Sequence, residues 1–305
     1  MSLPQKGVYT PVPTFFKKDL NTIDFATQVA HAKFLQDNGI KGITLLGSTG
    51  ENAHLTRAER AEIVKQIHDN VKGFTIVAGI AQNCLQETIE EIESVAKSGA
   101  SFALVLPSSY FGPSITQEAL VEWYTEVADN SPIPVLIYVY PGVTNNVNVA
   151  PSTIKTLSSH KNIVGIKFSH NDVTSYSEIS LDEEIKDFVC LTGLGHLLLP
   201  ALSIGFKGTV DAISGAYPKI YTRLIQAFDE GNFKEAQRLQ LAIIRGEKCV
   251  SEYGVIGIKR IIYEATGFGE TYLGRMPLNK DTTAGWEKLD KFIAEISEGE
   301  KSVTI

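Results

Sequence analysis

The strongest constraint on this chain is a regular alternation of short β-forming runs with longer stretches of helical period. The runs are 7–13 (GVYTPVP), 42–46 (GITLL), 74–79 (FTIVAG), 102–106 (FALVL), 134–139 (PVLIYV), 163–167 (IVGIK), 188–191 (FVCL) and 207–211 (KGTVD). Between most of them lie amphipathic segments. In "DFATQVAHAKFLQDNG", Phe25, Val29, Ala32, Phe34 and Leu35 are spaced like one helical face, with Asp24 near the start and Gly39 as the stop signal. "TRAERAEIVKQIHDNVKG" repeats the plan, with Thr56 as N-cap and Glu59 completing a capping box.

Strand and helix in regular alternation mean parallel strands with right-handed crossovers, and eight units of about 30 residues predict an α/β fold, the (β/α)8 TIM barrel. A doubly wound sheet would announce a glycine-rich GxGxxG after its first strand, and "VPTFFKKDL" contains none. Beyond the eighth run, residues 218–295 are helical in pattern, and no Pro/Gly/Ser-rich linker precedes them. The expected organisation is therefore a barrel core over 1–217 and a C-terminal helical extension over 218–305 packed on it.

Composition excludes several function classes. The 305 residues carry a net charge of -7 and no basic cluster, which argues against a nucleic-acid surface. No stretch approaches the roughly 18 consecutive apolar residues of a membrane span, and "MSLPQKGVYTPVP" lacks the apolar core of a secretory signal, so a cytoplasmic protein is expected. Cys84, Cys190 and Cys249 are far apart and outside any CxxC pattern, so neither a disulfide framework nor a thiolate zinc site is indicated.

The barrel turns position in a strand into position in the protein, because active sites of this fold lie at the C-terminal ends of the strands. Lys6, Lys41, Lys72, Lys161 and Lys207 precede or open strands; Lys33, Lys65, Lys97 and Lys155 lie on helices; Lys17 and Lys18 are loop residues. Lys167 alone of these ends a strand. It closes the apolar run Ile163, Val164, Gly165, Ile166, where an ammonium without a partner is costly, so either the side chain escapes to solvent or its neutral amine is wanted. Two further strand ends add to it. The second runs into "LLGSTGENAHLT", where Gly47 and Gly50 permit a tight turn and Ser48 and Thr49 offer hydroxyls and N–H groups to an anion; without the P-loop pattern, a carboxylate is the better guest. The fifth ends in "VLIYVYPGVTNN", which places Tyr138 just before the loop.

GSTGE after strand two, YxxP after strand five and GIKxxxxD at strand six, in this order, resemble the dihydrodipicolinate synthase and N-acetylneuraminate lyase family of Schiff-base lyases. The resemblance covers the whole chain. It implies an imine between a lysine and pyruvate or another 2-oxo acid, with no added cofactor, in a homodimer or homotetramer. By the same resemblance Lys167 is the Schiff-base lysine, Tyr138 the proton shuttle with Thr49 as relay, and Gly47, Ser48, Thr49 and Ser214 bind substrate. Tyr110, in the fourth βα loop "LPSSYFGP", is the candidate for a catalytic tyrosine lent across a dimer interface.

The chain also departs from the family pattern. Members that condense pyruvate with aspartate semialdehyde carry an arginine two residues after the proline of YNVPxR; here that position is Val143, and the asparagine after the tyrosine is Val139. "YPGVT" is most like the aldolases of 2-keto-3-deoxy sugar acids and 4-hydroxy-2-oxoglutarate, which makes cleavage of such an acid to pyruvate and an aldehyde the expected reaction. Two rival classes stand beside it. One is a metal-dependent aldolase using His54, His170 and His196, which fall in loops on the same face with Asp172 nearby, although no local ligand spacing supports it. The other is a barrel that binds a sugar acid without catalysis, which leaves Lys167 and Tyr138 unexplained.

Overall fold

A computed structural model of the protein describes residues 3–303; residues 1, 2, 304 and 305, the outer ends of the two expected segments, lie outside the described residues. The strands are β1 (Gly7–Pro11), β2 (Gly42–Leu45), β3 (Thr75–Ile80), β4 (Phe102–Val105), β5 (Val135–Val139), β6 (Ile163–Phe168), β7 (Val189–Thr192) and β8 (Gly208–Val210). They pair in parallel and in sequence order, and β8 closes on β1. All eight expected runs are strands, so the fold is the (β/α)8 barrel.

Helices α1 (Phe25–Asp37), α2 (Arg57–Asn70), α3 (Leu85–Lys97), α4 (Gln117–Asn130), α5 (Pro151–Ser158), α6 (Val173–Ser180), α7 (Leu198–Ser203) and α8 (Pro218–Asp229) follow the strands in turn. Helix α8 thus follows β8 as the barrel's own eighth helix, although it lies beyond residue 217. Three more helices follow, α9 (Phe233–Gly246), α10 (Lys248–Thr266) and α11 (Asp290–Lys301). Residues 267–285 depart from the expected helical pattern. The cause is local: Gly267, in the left-handed region at φ 75°, ends α10 by donating its N–H to the Tyr263 carbonyl at 3.0 Å.

Helix starts follow their capping chemistry. The Asp24 side chain accepts from the Thr27 N–H, and Thr56 and Glu59 form the expected capping box. The buried face of α1 is less apolar than its spacing implies. It includes Gln28 and His31, whose side chains bond the Pro13 and Gly215 carbonyls at 3.1 and 2.8 Å. Backbone thus satisfies Gln28 and the His31 Nε2, while His31 Nδ1 has no hydrogen-bond partner among the described residues.

Two apolar layers result. The outer one, between strands and helices, holds Ile43, Leu45, Ile76, Ile137, Ile166 and Phe168. The inner one fills the barrel with Tyr9, Val77, Phe102, Leu104, Leu136, Tyr138, Val164, Val189, Leu191 and Val210. One irregularity decides where the chemistry lies. Val135 pairs with Ile163 but Leu136 with Gly165, so Val164 is an extra residue in β6. Without it Lys167 would oppose Val139, an outer-layer residue; with it Lys167 opposes Tyr138 and points into the barrel.

Gly165 makes this register possible. A Cβ there would lie 2.4 Å from the Val189 carbonyl oxygen and 3.0 Å from Leu136 Cδ2. Gly165→Ala is therefore expected to force β6 from β7 and cost about 1 to 3 kcal/mol, the usual range for overpacking. A urea midpoint equal to that of the wild type would show that the strands absorb the methyl group and that this account of the register is mistaken.

Candidate active site

Lys167 and Tyr138 sit side by side at the C-terminal ends of β6 and β5. Lys167 is 5% exposed, and its Nζ donates to the Tyr138 hydroxyl at 3.0 Å while lying 4.2 Å from the centre of that ring. Among the described residues no carboxylate forms a salt bridge with this amine. Its stem passes over Gly193, where a Cβ would be 2.6 Å from Lys167 Cε. The glycine after β7 thus leaves room for the lysine.

A second buried lysine shows the contrast. Lys259 on α10, which sequence reasoning did not single out, donates to Glu51 at 2.6 Å and to the Thr14 carbonyl at 2.9 Å. Burial holds its pKa below the usual lysine value, against the opposing pull of Glu51. Glu51 also accepts the Arg275 N–H at 3.0 Å and faces His54 Nδ1 at 3.2 Å. The glutamate of GSTGE is therefore an anchor that ties the turn after β2 to the C-terminal segment. Lys259 is held in an ion pair with Glu51; Lys167 has no carboxylate partner among the described residues.

The GSTGE turn reaches its shape by a different use of its residues than expected. Leu46 and Glu51, not the glycines, take positive φ (61° and 57°). A Cβ on Gly50 would come within 3.0 Å of the Leu46 nitrogen, so close approach requires that glycine, whereas at Gly47 nothing lies nearer than 3.9 Å. Gly79 on β3 lets the turn settle: a Cβ there would stand 2.5 Å from the Leu46 carbonyl oxygen. Ser48 and Thr49 face the cavity, and among the described residues neither hydroxyl is committed to a partner.

The cavity at the barrel mouth has two lobes that share Ser48, Tyr138 and Val255. The polar lobe, about 170 Å3, brings together Lys167, Thr49, Tyr140, Ser169, Asp211 and Glu247. The other, about 380 Å3, has a largely apolar wall that includes Leu46, Leu104, Leu106, Val143 and Leu278. Gly47 lines only this second lobe.

Other expected residues lie elsewhere. Ser214 faces away from the cavity and is wholly buried: its hydroxyl donates to the Asp211 carbonyl at 2.6 Å and meets Thr10 Oγ1 at 2.7 Å. Tyr110 is on the surface, 73% exposed, edge-on to the equally exposed Phe111 ring at 5.0 Å. The histidines are separated by their partners: His54 faces Glu51, and His196 Nε2 meets Asn171 Oδ1 at 2.8 Å. Asp172 caps α6. Among the described residues no three metal-ligating side chains converge.

Sequence reasoning missed Tyr140, Ser169, Asp211 and Glu247. The first two sit two residues beyond Tyr138 and Lys167, and that spacing was the available signal. Asp211 closes the eighth run and meets the strand-end rule as well as Lys167 does. Glu247, at the junction of α9 and α10, has no sequence signal at all.

A parallel (β/α)8 barrel with a residue-lined cavity at the C-terminal ends of its strands is the architecture of a barrel enzyme. Residues 4–296 match the profile of the Dihydrodipicolinate synthetase family, and the chain belongs to that family. It is similar to the L-threo-3-deoxy-hexylosonate aldolase of Hypocrea jecorina, 29% identical over 97% of this chain and 98% of that protein. A second relative, named "Probable 4-hydroxy-2-oxoglutarate aldolase, mitochondrial", of Emericella nidulans, is 30% identical over 87% of this chain and 86% of its own. Dihydrodipicolinate synthase from Aquifex aeolicus has the same fold, with a TM-score of 0.85 at 26% identity, covering 95% of this chain and 97% of its own. The protein is accordingly an aldolase-type carbon–carbon lyase of this family. Among the described residues no helix is long and apolar enough to cross a membrane.

Proposed function

We propose that Lys167 forms a Schiff base with a 4-hydroxy-2-oxo acid, a 2-keto-3-deoxy sugar acid in preference, and that the enzyme cleaves it to pyruvate and an aldehyde. The observation that carries this reading is the Lys167 amine, buried, free of a carboxylate and 3.0 Å from the Tyr138 hydroxyl. The substrate carboxylate rests on Ser48 and Thr49, across the barrel from β6. The neutral amine adds to C2, and Tyr138 gives its hydroxyl proton to the departing water, which leaves a protonated imine and the Tyr138 phenolate. The C4 hydroxyl gives its proton to Tyr138, with Thr49 in the same lobe as a relay. The C3–C4 bond then breaks, its electron pair passes to the imine as an enamine, and the aldehyde departs. Protonation at C3 and hydrolysis return pyruvate and the free lysine.

Val143 supports the choice of substrate. Among the described residues no arginine lines either lobe, Val143 standing in the apolar one, so an aldehyde bearing a carboxylate meets no guanidinium, and a charged hydrogen bond of that kind contributes roughly 1.5 to 3 kcal/mol. Exposed Tyr110 and Phe111 support assembly into at least a dimer. We expect pyruvate release from a 2-keto-3-deoxy sugar acid, and little condensation of pyruvate with aspartate semialdehyde, when kcat/KM is measured for both. A clear preference for aspartate semialdehyde would overturn the substrate assignment.

A further inference from the structure

The polar lobe holds an acidic pair that the reaction as written does not use. Asp211, which ends the eighth sequence run, is fully engaged: it accepts the N–H groups of Gly195 (2.9 Å) and Ile213 (3.1 Å) and the Tyr221 hydroxyl. Glu247 lies beside it, 8% exposed, with a side-chain hydrogen bond between the two carboxyls, and its Oε1 has no other hydrogen-bond partner among the described residues. His196 Nδ1 stands 3.7 Å from Oε2, too far for a hydrogen bond. A buried carboxyl oxygen without a further partner is costly, and the Glu247 residue borders the cavity that Lys167 lines.

We propose that Glu247, backed by Asp211, is the specificity-determining residue of the polar lobe: it binds a hydroxyl of a sugar-acid chain beyond C4 and turns away a chain that ends in a second carboxylate. The inference rests on the Schiff-base reading and deepens it. The two lobes differ in the chemistry they offer. Lys167 and Thr49 line only the polar one, so a substrate joined to Lys167 extends along Ser169, Asp211 and Glu247 rather than along Leu104 and Leu106. A hydroxyl satisfies Glu247 as donor or acceptor. A terminal carboxylate brings like charge against it with no cation among the residues lining the lobe except the reacting lysine.

Titration supports this arrangement. Burial is the main cause that pushes the Glu247 carboxyl up to about 7, and burial with the Glu247 charge raises Asp211 well above the usual carboxylate range. The other groups around the pair are Tyr221 on α8, raised chiefly by burial; His196 after β7, lowered by burial; Cys249, raised by burial; and Lys248, which adjoins Glu247 in the chain. Glu247 is therefore mostly neutral below about pH 7 and charged above it.

The test compares kcat/KM for 4-hydroxy-2-oxoglutarate with kcat/KM for a 3-deoxy-hexulosonate. In the wild-type enzyme the ratio of dicarboxylate to sugar acid should fall several-fold as pH rises across roughly 6 to 8, because Glu247 gains its charge there. Glu247→Gln, which keeps shape and hydrogen-bonding capacity, should raise the ratio about tenfold at the alkaline end and flatten its pH dependence. A flat wild-type ratio overturns the proposal without recourse to any variant, and so does an E247Q ratio that tracks the wild type. Borohydride trapping of pyruvate on the wild-type enzyme separates the two readings: an adduct with a flat ratio removes only Glu247, whereas no adduct removes the Schiff base itself.

Discussion

Lys167→Ala is expected to abolish turnover, by on the order of 10⁴-fold or more, while the protein keeps its fold. The amine supplies the electrophile of the reaction, and no other group can take its place: Lys259 is bound to Glu51 and the Thr14 carbonyl and does not line either lobe. Little structure depends on the amine. Its one hydrogen bond goes to the Tyr138 hydroxyl, and no ion pair among the described residues would be broken by its removal. Circular dichroism and the melting temperature should stay close to wild type. Retention of more than a small percentage of activity would contradict the assignment.

Tyr138→Phe should lower kcat by about 10²- to 10⁴-fold, the usual cost of losing a general acid–base group. The substitution is conservative for packing, since the 4%-exposed ring remains in the inner layer and against Tyr140, whose centroid is 5.8 Å away. Only the hydroxyl disappears, and with it the partner of Lys167. Tyr140 also lines the polar lobe, but burial pushes its pKa up from the ordinary tyrosine value, which makes it a poorer acceptor of function in the place of Tyr138. An unchanged rate in Y138F would return Tyr138 to a packing role.

The barrel was legible because each of its strands is a compact β-forming run and several of the helices between them begin with a recognisable cap; Thr56 with Glu59 is the clearest case. Lys167 was legible because a charge at the end of an apolar run is an inconsistency that function resolves. That it points inward was not legible. The direction depends on the extra residue Val164, and a register shift in a parallel pair leaves no mark on composition or period. The roles of Glu51 and Lys259 were hidden for a similar reason, since they are joined across 208 positions of sequence and only the closed fold brings them together. Glu247 was hidden twice, by its distance from every strand end and by its place at the junction between two helices. Residues that act through long-range contact are visible only when the contact exists.

The central claim is that Lys167 becomes covalently bound to the substrate. Incubating the protein with pyruvate and borohydride, digesting it and weighing the peptides tests this directly. The account predicts one reduced adduct of about 72 Da, on the peptide that contains Lys167, and none in the Lys167→Ala protein. No adduct, or an adduct on Lys259 or a surface lysine instead, would contradict it.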